Sequence, residues 1–237
     1  MISIFLRDLR PRLLLVAVAA WLLYLLEPGF HTHGAVSPED SADLGPLGLA
    51  ATLAYLSGIS VIVLLSGFVS TDRRRGYAQL FFSHPVRPLA FYALRWSVAV
   101  GAAITVAAIF LVVGQFVAWG GFHGGWSGLL IAGLSALVWG GVMAFLSTAL
   151  PRGEAWVAMV AFIPTLLPQT LIPLERIFSP SGYRLLLFLL PPQAAFQDVY
   201  EWILLGTAAW ESAAYAAGYG LFWLVLAGLL LLLREWG

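Results

Sequence analysis

An all-α polytopic membrane protein with six transmembrane helices is the fold class this sequence predicts, and three observations carry the prediction. Of 237 residues, 61% are hydrophobic and only 10% charged, against roughly 45–50% and about 25% in soluble domains. Mean hydropathy is +0.90. The apolar residues also fall in six runs bounded by charge, proline or glycine. A span takes about 20 mostly apolar residues, so six use roughly 120 and leave the remainder for loops. Residues 1–237 therefore read as a single transmembrane domain.

The runs follow one another in a simple order. Ile2, Phe5, Leu6 and Leu9 fall at i, i+3, i+4 and i+7 with charged residues between them, which predicts an amphipathic interfacial helix over 1–10, ended by Pro11. The first span then runs from Leu13 to Phe30. Arginines before a short apolar run also occur in signal peptides, but Glu27-Pro28-Gly29-Phe30 offers no small-x-small cleavage site, so the segment is read as a retained span. Residues 27–46 form an acidic loop. The second span covers Leu47 to Val69, and an arginine-rich stretch separates it from the third, Phe91 to Ala118. An uncharged glycine-rich turn, 120–128, leads to the fourth span, Leu129 to Leu150. The fifth, Ala155 to Leu174, carries Pro164 and Pro168 and is expected to kink or unwind. Within 175–211 the pieces Tyr183–Leu190 and Ala194–Leu205 are each too short to span and read as re-entrant or outer helices. The last span is Tyr215 to Leu233.

Arginine counting orients the chain, because cytoplasmic loops are enriched in basic residues near span ends. With the N-terminus inside, ten of the twelve arginines fall on the cytoplasmic side, whereas only Arg176 and Arg184 fall outside with eight of the twelve acids. Both termini are then cytoplasmic, in a plasma or inner membrane.

Composition excludes several chemistries. All 12 basic residues are arginine, and there is no lysine and no cysteine. Disulfides, thiolate metal sites and cysteine nucleophiles are absent. A Walker A loop needs a lysine that reaches the nucleotide phosphates, so this chain has no such ATPase site, and any ATP-driven step needs a second chain. Schiff-base chemistry is excluded too. Zero net charge argues against a nucleic-acid partner. Gly125-Trp126-Ser127-Gly128 matches the G-x-S-G of intramembrane serine proteases, but no histidine follows His123 in the chain, so no catalytic residues are assigned. Glu154 beside Arg152 reads as a solvated pair. His31 and His33, near Glu39, Asp40 and Asp43, are the weak candidates for a metal on the outer side; no resident cofactor is expected.

The most informative segment is 70–96, STDRRRGYAQLFFSHPVRPLAFYALRW. Thr71 or Asp72 can cap a short helix on which Tyr77, Leu80, Phe81 and His84 share a side, with Pro85 and Pro88 closing it. A basic loop that fixes topology and touches anionic lipids explains the arginines, though not an aromatic helix with a double-proline stop. A docking helix for a cytoplasmic partner explains both.

An acid at the end of span two, then glycine, a short apolar helix, a small residue and Pro-Val beside arginine resembles the permease subunits of the ABC type 2 exporter family, on Asp72, Gly76, Ser83, Pro85, Val86 and Arg87. Tyr77, Gln79 and Arg87-Pro88 depart from the usual threonine, glutamate and Ser-Arg of that motif. The amphipathic N-terminal helix, six spans and paired outer helices are also this family's layout. The resemblance implies a coupling helix within 70–90 that contacts a separate ATPase subunit, which binds ATP and Mg, and a second permease copy or homologue as dimer partner. Arg73, Arg74, Arg75, Leu80 and Phe81 complete the implied ATPase-coupling surface. ATP-driven closure of the partner ATPases would then rock the dimer between inward-open and outward-open states.

Ala50, Ala54 and Gly58, four apart, can allow close helix contact, within one subunit or between two. Polar residues in the spans are few: Thr52, Tyr55, Ser57, Ser60, Gln115, Thr165, Gln169 and Thr170. No charge is expected at mid-membrane, and a mostly apolar pathway suits a lipid-like or amphipathic cargo. Tyr55, Thr165 and Gln169 are the candidate pathway residues. A secondary transporter would show buried charge or broken helices in matching halves, and only span five is broken; a passive scaffold or an intramembrane enzyme are the remaining alternatives.

Overall fold

The computed structural model describes residues 2–27, 47–74, 87–166, 179 and 190–235, and among them every regular element is helical. The helices are α1 (Ile2–Leu26), α2 (Ala50–Leu64), α3 (Ser70–Arg74), α4 (Pro88–Trp119), α5 (Gly128–Ala149), α6 (Glu154–Leu166), α7 (Gln193–Leu205) and α8 (Trp210–Glu235). Three of them are long and apolar enough to cross a membrane: Pro88–Trp119, Gly128–Ala149 and the Trp210–Leu233 part of α8. Pro11–Leu26, Ala50–Leu64 and Glu154–Ile163 are shorter apolar helices. The outward faces are greasy, with Leu14, Val117, Val160 and Val225 each more than 60% exposed. Soluble monomers rarely present such continuous apolar surface, so these helices suggest a membrane protein.

Local chemistry sets the helix limits. Pro88 opens α4, where its missing N–H costs nothing, and Arg87 before it is extended. Gly120 closes α4 in the left-handed region at φ 71° and donates its N–H to the Phe116 carbonyl. The second apolar run is broken earlier than its composition suggests. Helix α2 stops at Leu64, and 65–69 form turns around Gly67, which has φ 71°. At 15 residues α2 is about 22 Å long, shorter than a hydrocarbon core of about 30 Å.

Two expectations about proline need correcting or narrowing. Pro11 does not end an N-terminal helix: α1 runs through it as one element of 25 residues. The ring removes one backbone bond, while helix-forming residues on both sides propagate the rest. Pro164 likewise lies inside α6, and Pro168 falls outside the described residues. The short helix expected at Ala194–Leu205 is α7. Of the other short piece, residues 183–189 fall outside the described residues.

Side-chain bonds fix how the helices run. Arg12, eleventh residue of α1, donates to the Leu64 carbonyl at the end of α2 (2.7 Å), while Thr52 at the start of α2 donates to Glu27 just past the end of α1. Thus α1 and α2 are antiparallel. The start of α4 meets the end of α2 through Arg95 and Phe68. The end of α5 meets the same place through Ser147, and α6 starts there at Glu154. Leu224, Ala227 and Leu231 of α8 lie beside Tyr92, Trp96 and Thr148. The six apolar helices therefore alternate in direction. Arg12, Arg73, Arg74, Arg87, Arg95 and Arg152 gather at one end, and Glu27, Asp198, Glu201 and Glu211 belong to the other.

Helix α5 is the centre. It packs most extensively on α2 and α8, and Trp139, Met143 and Ala136 of α5 are buried among Val61, Ile62, Ala99 and Phe162. The α5–α8 crossing is backbone on backbone. A methyl group at Gly141 would collide with the Gly220 carbonyl oxygen, and one at Gly220 would lie 2.7 Å from the Leu137 carbonyl oxygen. The Ala50–Ala54–Gly58 stripe is used within the chain: Ala50 sits against Gly128, and Gly58 against Ser135, Trp139 and Phe162.

Candidate functional site

The arginine-rich end holds the strongest concentration of buried polar chemistry among the described residues. Its foundation is the 65–69 turn, whose backbone N–H groups no longer belong to a helix and need acceptors. Ser147 Oγ takes the N–H of Val69 (2.9 Å) and of Ser70 (3.2 Å). Glu154 Oε1 takes the Gly67 N–H (2.8 Å) and the Ser70 hydroxyl (2.6 Å). Glu154 is only 4% exposed, so it is not a solvated partner of Arg152, which is exposed. The difference is tertiary: the carboxylate is the acceptor for a turn whose Ser70 lies 84 residues earlier. Its place in the first turn of α6 also sets negative charge on the positive end of that helix.

Asp72 lies inside α3, and its carboxylate pairs with Arg95 on α4 at 2.5 Å; the helix over 77–84 that it is expected to cap falls outside the described residues. Tyr92 donates its hydroxyl to the same Oδ2 at 3.4 Å, and Arg95 also donates to the Phe68 carbonyl at 3.1 Å. The guanidinium carbon stands 5.6–5.9 Å from the ring centres of Phe68, Phe91 and Tyr92. Side-chain exposure is 10% for both partners. A pair this dry persists only when paired and hydrogen-bonded, as it is here. The bundle therefore buries ionised groups, but keeps them at one end.

Arginines also crown helix C-termini. Arg12 caps α2 through the Leu64 carbonyl, and Arg73 caps α5 through the Thr148 carbonyl at 3.0 Å. Cations there complement the negative end of the helix dipole. Arg74 bonds locally to Thr71 Oγ1 (3.1 Å).

Of the residues expected to form a coupling surface, Asp72 and Arg73 are tied into the bundle, Arg74 stays near its own turn, and Arg87 is exposed at the mouth of α4. Arg75, Gly76, Tyr77, Leu80, Phe81, Ser83, Pro85 and Val86 fall outside the described residues. So do Gln169, His31 and His33; no group of three or more potential metal ligands occurs among the described residues. Thr165 lies on the last turn of α6. Tyr55 faces a cavity of about 480 Å³ between α2, α5, α6 and α7. Sequence reasoning does not single out Ser147, Tyr92, Arg95 or Glu154 as site residues. Arg95, seven residues into an apolar helix, is the available signal for a buried partner.

What the clamp can do is mechanical. It joins α3, and with it one end of the 75–86 segment, to α4, α5 and α6 by short charged and hydroxyl bonds; the other end of that segment continues directly into α4. Comparison of the chain with models of known protein families, with curated proteins and with solved structures finds no match in any of the three.

Proposed function

We propose that this chain is the membrane-spanning subunit of an ATP-driven exporter, with six spans and cytoplasmic termini, working as a dimer and driven by a separate ATPase that binds ATP and Mg. The observation that carries the reading is the anchoring of the 70–87 segment. Asp72 near its start and Arg95 after it form one buried ion pair, so a force on the segment is delivered to α3 and α4 together and, through Ser147 and Glu154, to α5 and α6. A loop that served only to fix topology needs charge, but it does not need a buried tie to three helices. The absence of lysine supports the division of labour, since the phosphate-binding loop has to come from another chain. The arginine-rich end is the cytoplasmic one in this reading, where an ATPase is available.

The test is a mild-detergent pull-down of the tagged chain from its host, with identification of co-purifying proteins and an ATPase assay. A stoichiometric Walker A protein, lost when Arg73, Arg74 and Arg75 are all changed to glutamate in correctly inserted chain, is the expected outcome. A chain that purifies alone from a detergent shown to preserve such complexes overturns the reading, in favour of a secondary transporter or a passive scaffold.

A further inference from the structure

At the end of the bundle away from the arginines, α2, α5, α6 and α7 enclose a cavity of about 480 Å³, within the size range that holds drug-sized ligands. Its floor is aromatic and ordered by contact. The Phe162 ring stands edge-on to Tyr55 (centroids 6.5 Å apart, planes at 83°) and to Trp139 (5.1 Å, 61°). Phe162 and Trp139, both buried, back this corner, and half-buried Tyr55 is the ring it presents to the cavity. Gly58 makes the corner possible, because a methyl group there would lie 2.7 Å from Phe162 Cε2 and 3.0 Å from Trp139 Cδ1. Helix α7 supplies the opposite wall with Phe196, Gln197 and Tyr200. Gln197 donates through Nε2 to Glu201 Oε1 at 3.0 Å, which ties this lining side chain to an exposed carboxylate one turn farther along α7.

Aromatic faces attract cations within about 6 Å of the ring centre, most strongly where water is excluded. A flat apolar ligand alone would be served by the rings without the carboxylate, and an anion would be repelled by both. We propose that this cavity is a binding site for a lipophilic cation, its apolar body between Tyr55 and Phe196 and its charge toward Tyr200 and the exposed Glu201. The site deepens the exporter reading by naming the class of cargo and rests on that reading for its role; the binding itself needs no ATPase.

The experiment is equilibrium dialysis of the purified full-length chain in neutral detergent against tetraphenylphosphonium and against tetraphenylborate, ions of the same shape and opposite charge. Saturable phosphonium binding at least about tenfold tighter than that of the borate is expected. Tyr55→Leu and Tyr200→Leu each weaken it about fivefold or more, while Tyr55→Phe, which keeps the ring, stays near the parent value. Glu201→Gln, on the exposed face of α7, weakens the phosphonium and not the borate. Val113→Leu, in the apolar groove between α1 and α4, changes neither. Equal affinity for the two ions, or phosphonium binding that survives both leucine variants, overturns the site. A co-purifying ATPase without cation binding refutes only this inference, whereas cation binding by a chain that has no ATPase partner leaves the site standing and removes the exporter.

Discussion

Ser70 and Glu154, 84 residues apart in the chain, share a 2.6 Å hydrogen bond in which the hydroxyl donates to Oε1 of the carboxylate. The same oxygen accepts the Gly67 N–H, so one atom of the first residue of α6 holds the middle of the turn that follows α2 and the residue just after it. The turn carries its own Phe68 N–H to Leu65 carbonyl bond and is braced from outside its own sequence as well. Gly67, left-handed, makes the bend, and neither α2 nor α3 supplies an acceptor for its N–H.

Removing that acceptor should therefore be costly. Glu154→Ala strands two buried donors, at about 1–3 kcal/mol each, and should lower the melting temperature of the purified protein in detergent markedly. Glu154→Gln keeps a carbonyl oxygen and should recover most of the loss. Identical melting of the alanine variant and the parent would show that the bonds do not hold the turn.

The Asp72–Arg95 pair should behave asymmetrically. Arg95→Met leaves a buried carboxylate without its cation and should cost about 3–5 kcal/mol. The double variant Asp72→Leu with Arg95→Met removes both charges and should be more stable than the single one. It should still fall below the parent, because the Phe68 carbonyl has lost its donor. A double-mutant cycle read by thermal unfolding measures the coupling; strictly additive losses would mean that the pair is not one unit.

Glycines on the same helix should separate cleanly. Gly141→Ala drives a methyl group into the Gly220 backbone, whereas Gly133→Ala meets nothing within 4 Å. The first should destroy the monodisperse peak in size-exclusion chromatography. The second should be neutral or stabilising by up to about 1 kcal/mol, since alanine favours helix over glycine. Equal behaviour of the two would contradict the α5–α8 crossing.

The absence of native cysteine makes topology directly measurable. Ser127 and Arg152, both exposed, flank opposite ends of α5. In intact cells a membrane-impermeant maleimide should label Ser127→Cys and should reach Arg152→Cys only after permeabilisation. The reverse pattern would invert the proposed orientation.

The long helices are legible because hydropathy alone marks them: the fourth run reads as Leu129–Leu150 and is helical over Gly128–Ala149. Local breaks are harder to read. Pro11 invites a helix end by a rule about one residue, yet the helix on either side outweighs one missing bond. The clamp is hardest, since Ser147, Glu154 and the 65–70 turn meet only in three dimensions. Even so, Asp72 is the only acid between Asp43 and Glu154, and Arg95 sits within an apolar run. A lone acid and a lone buried base, 23 residues apart, are a readable pair; Glu154, next to an exposed Arg152, carries no such mark.

At Gly141 and Gly220 no side chain separates α5 from α8, and one turn away the Phe145 and Trp223 rings meet with centroids 4.7 Å apart. Sliding or parting the two helices would drag carbonyl oxygens across one another, so they form a single stiff beam through the protein. In the exporter proposed above, that beam would be the stator. The parts that would move against it are then α6 and α7, which meet α5 through side chains such as Phe162 on Trp139.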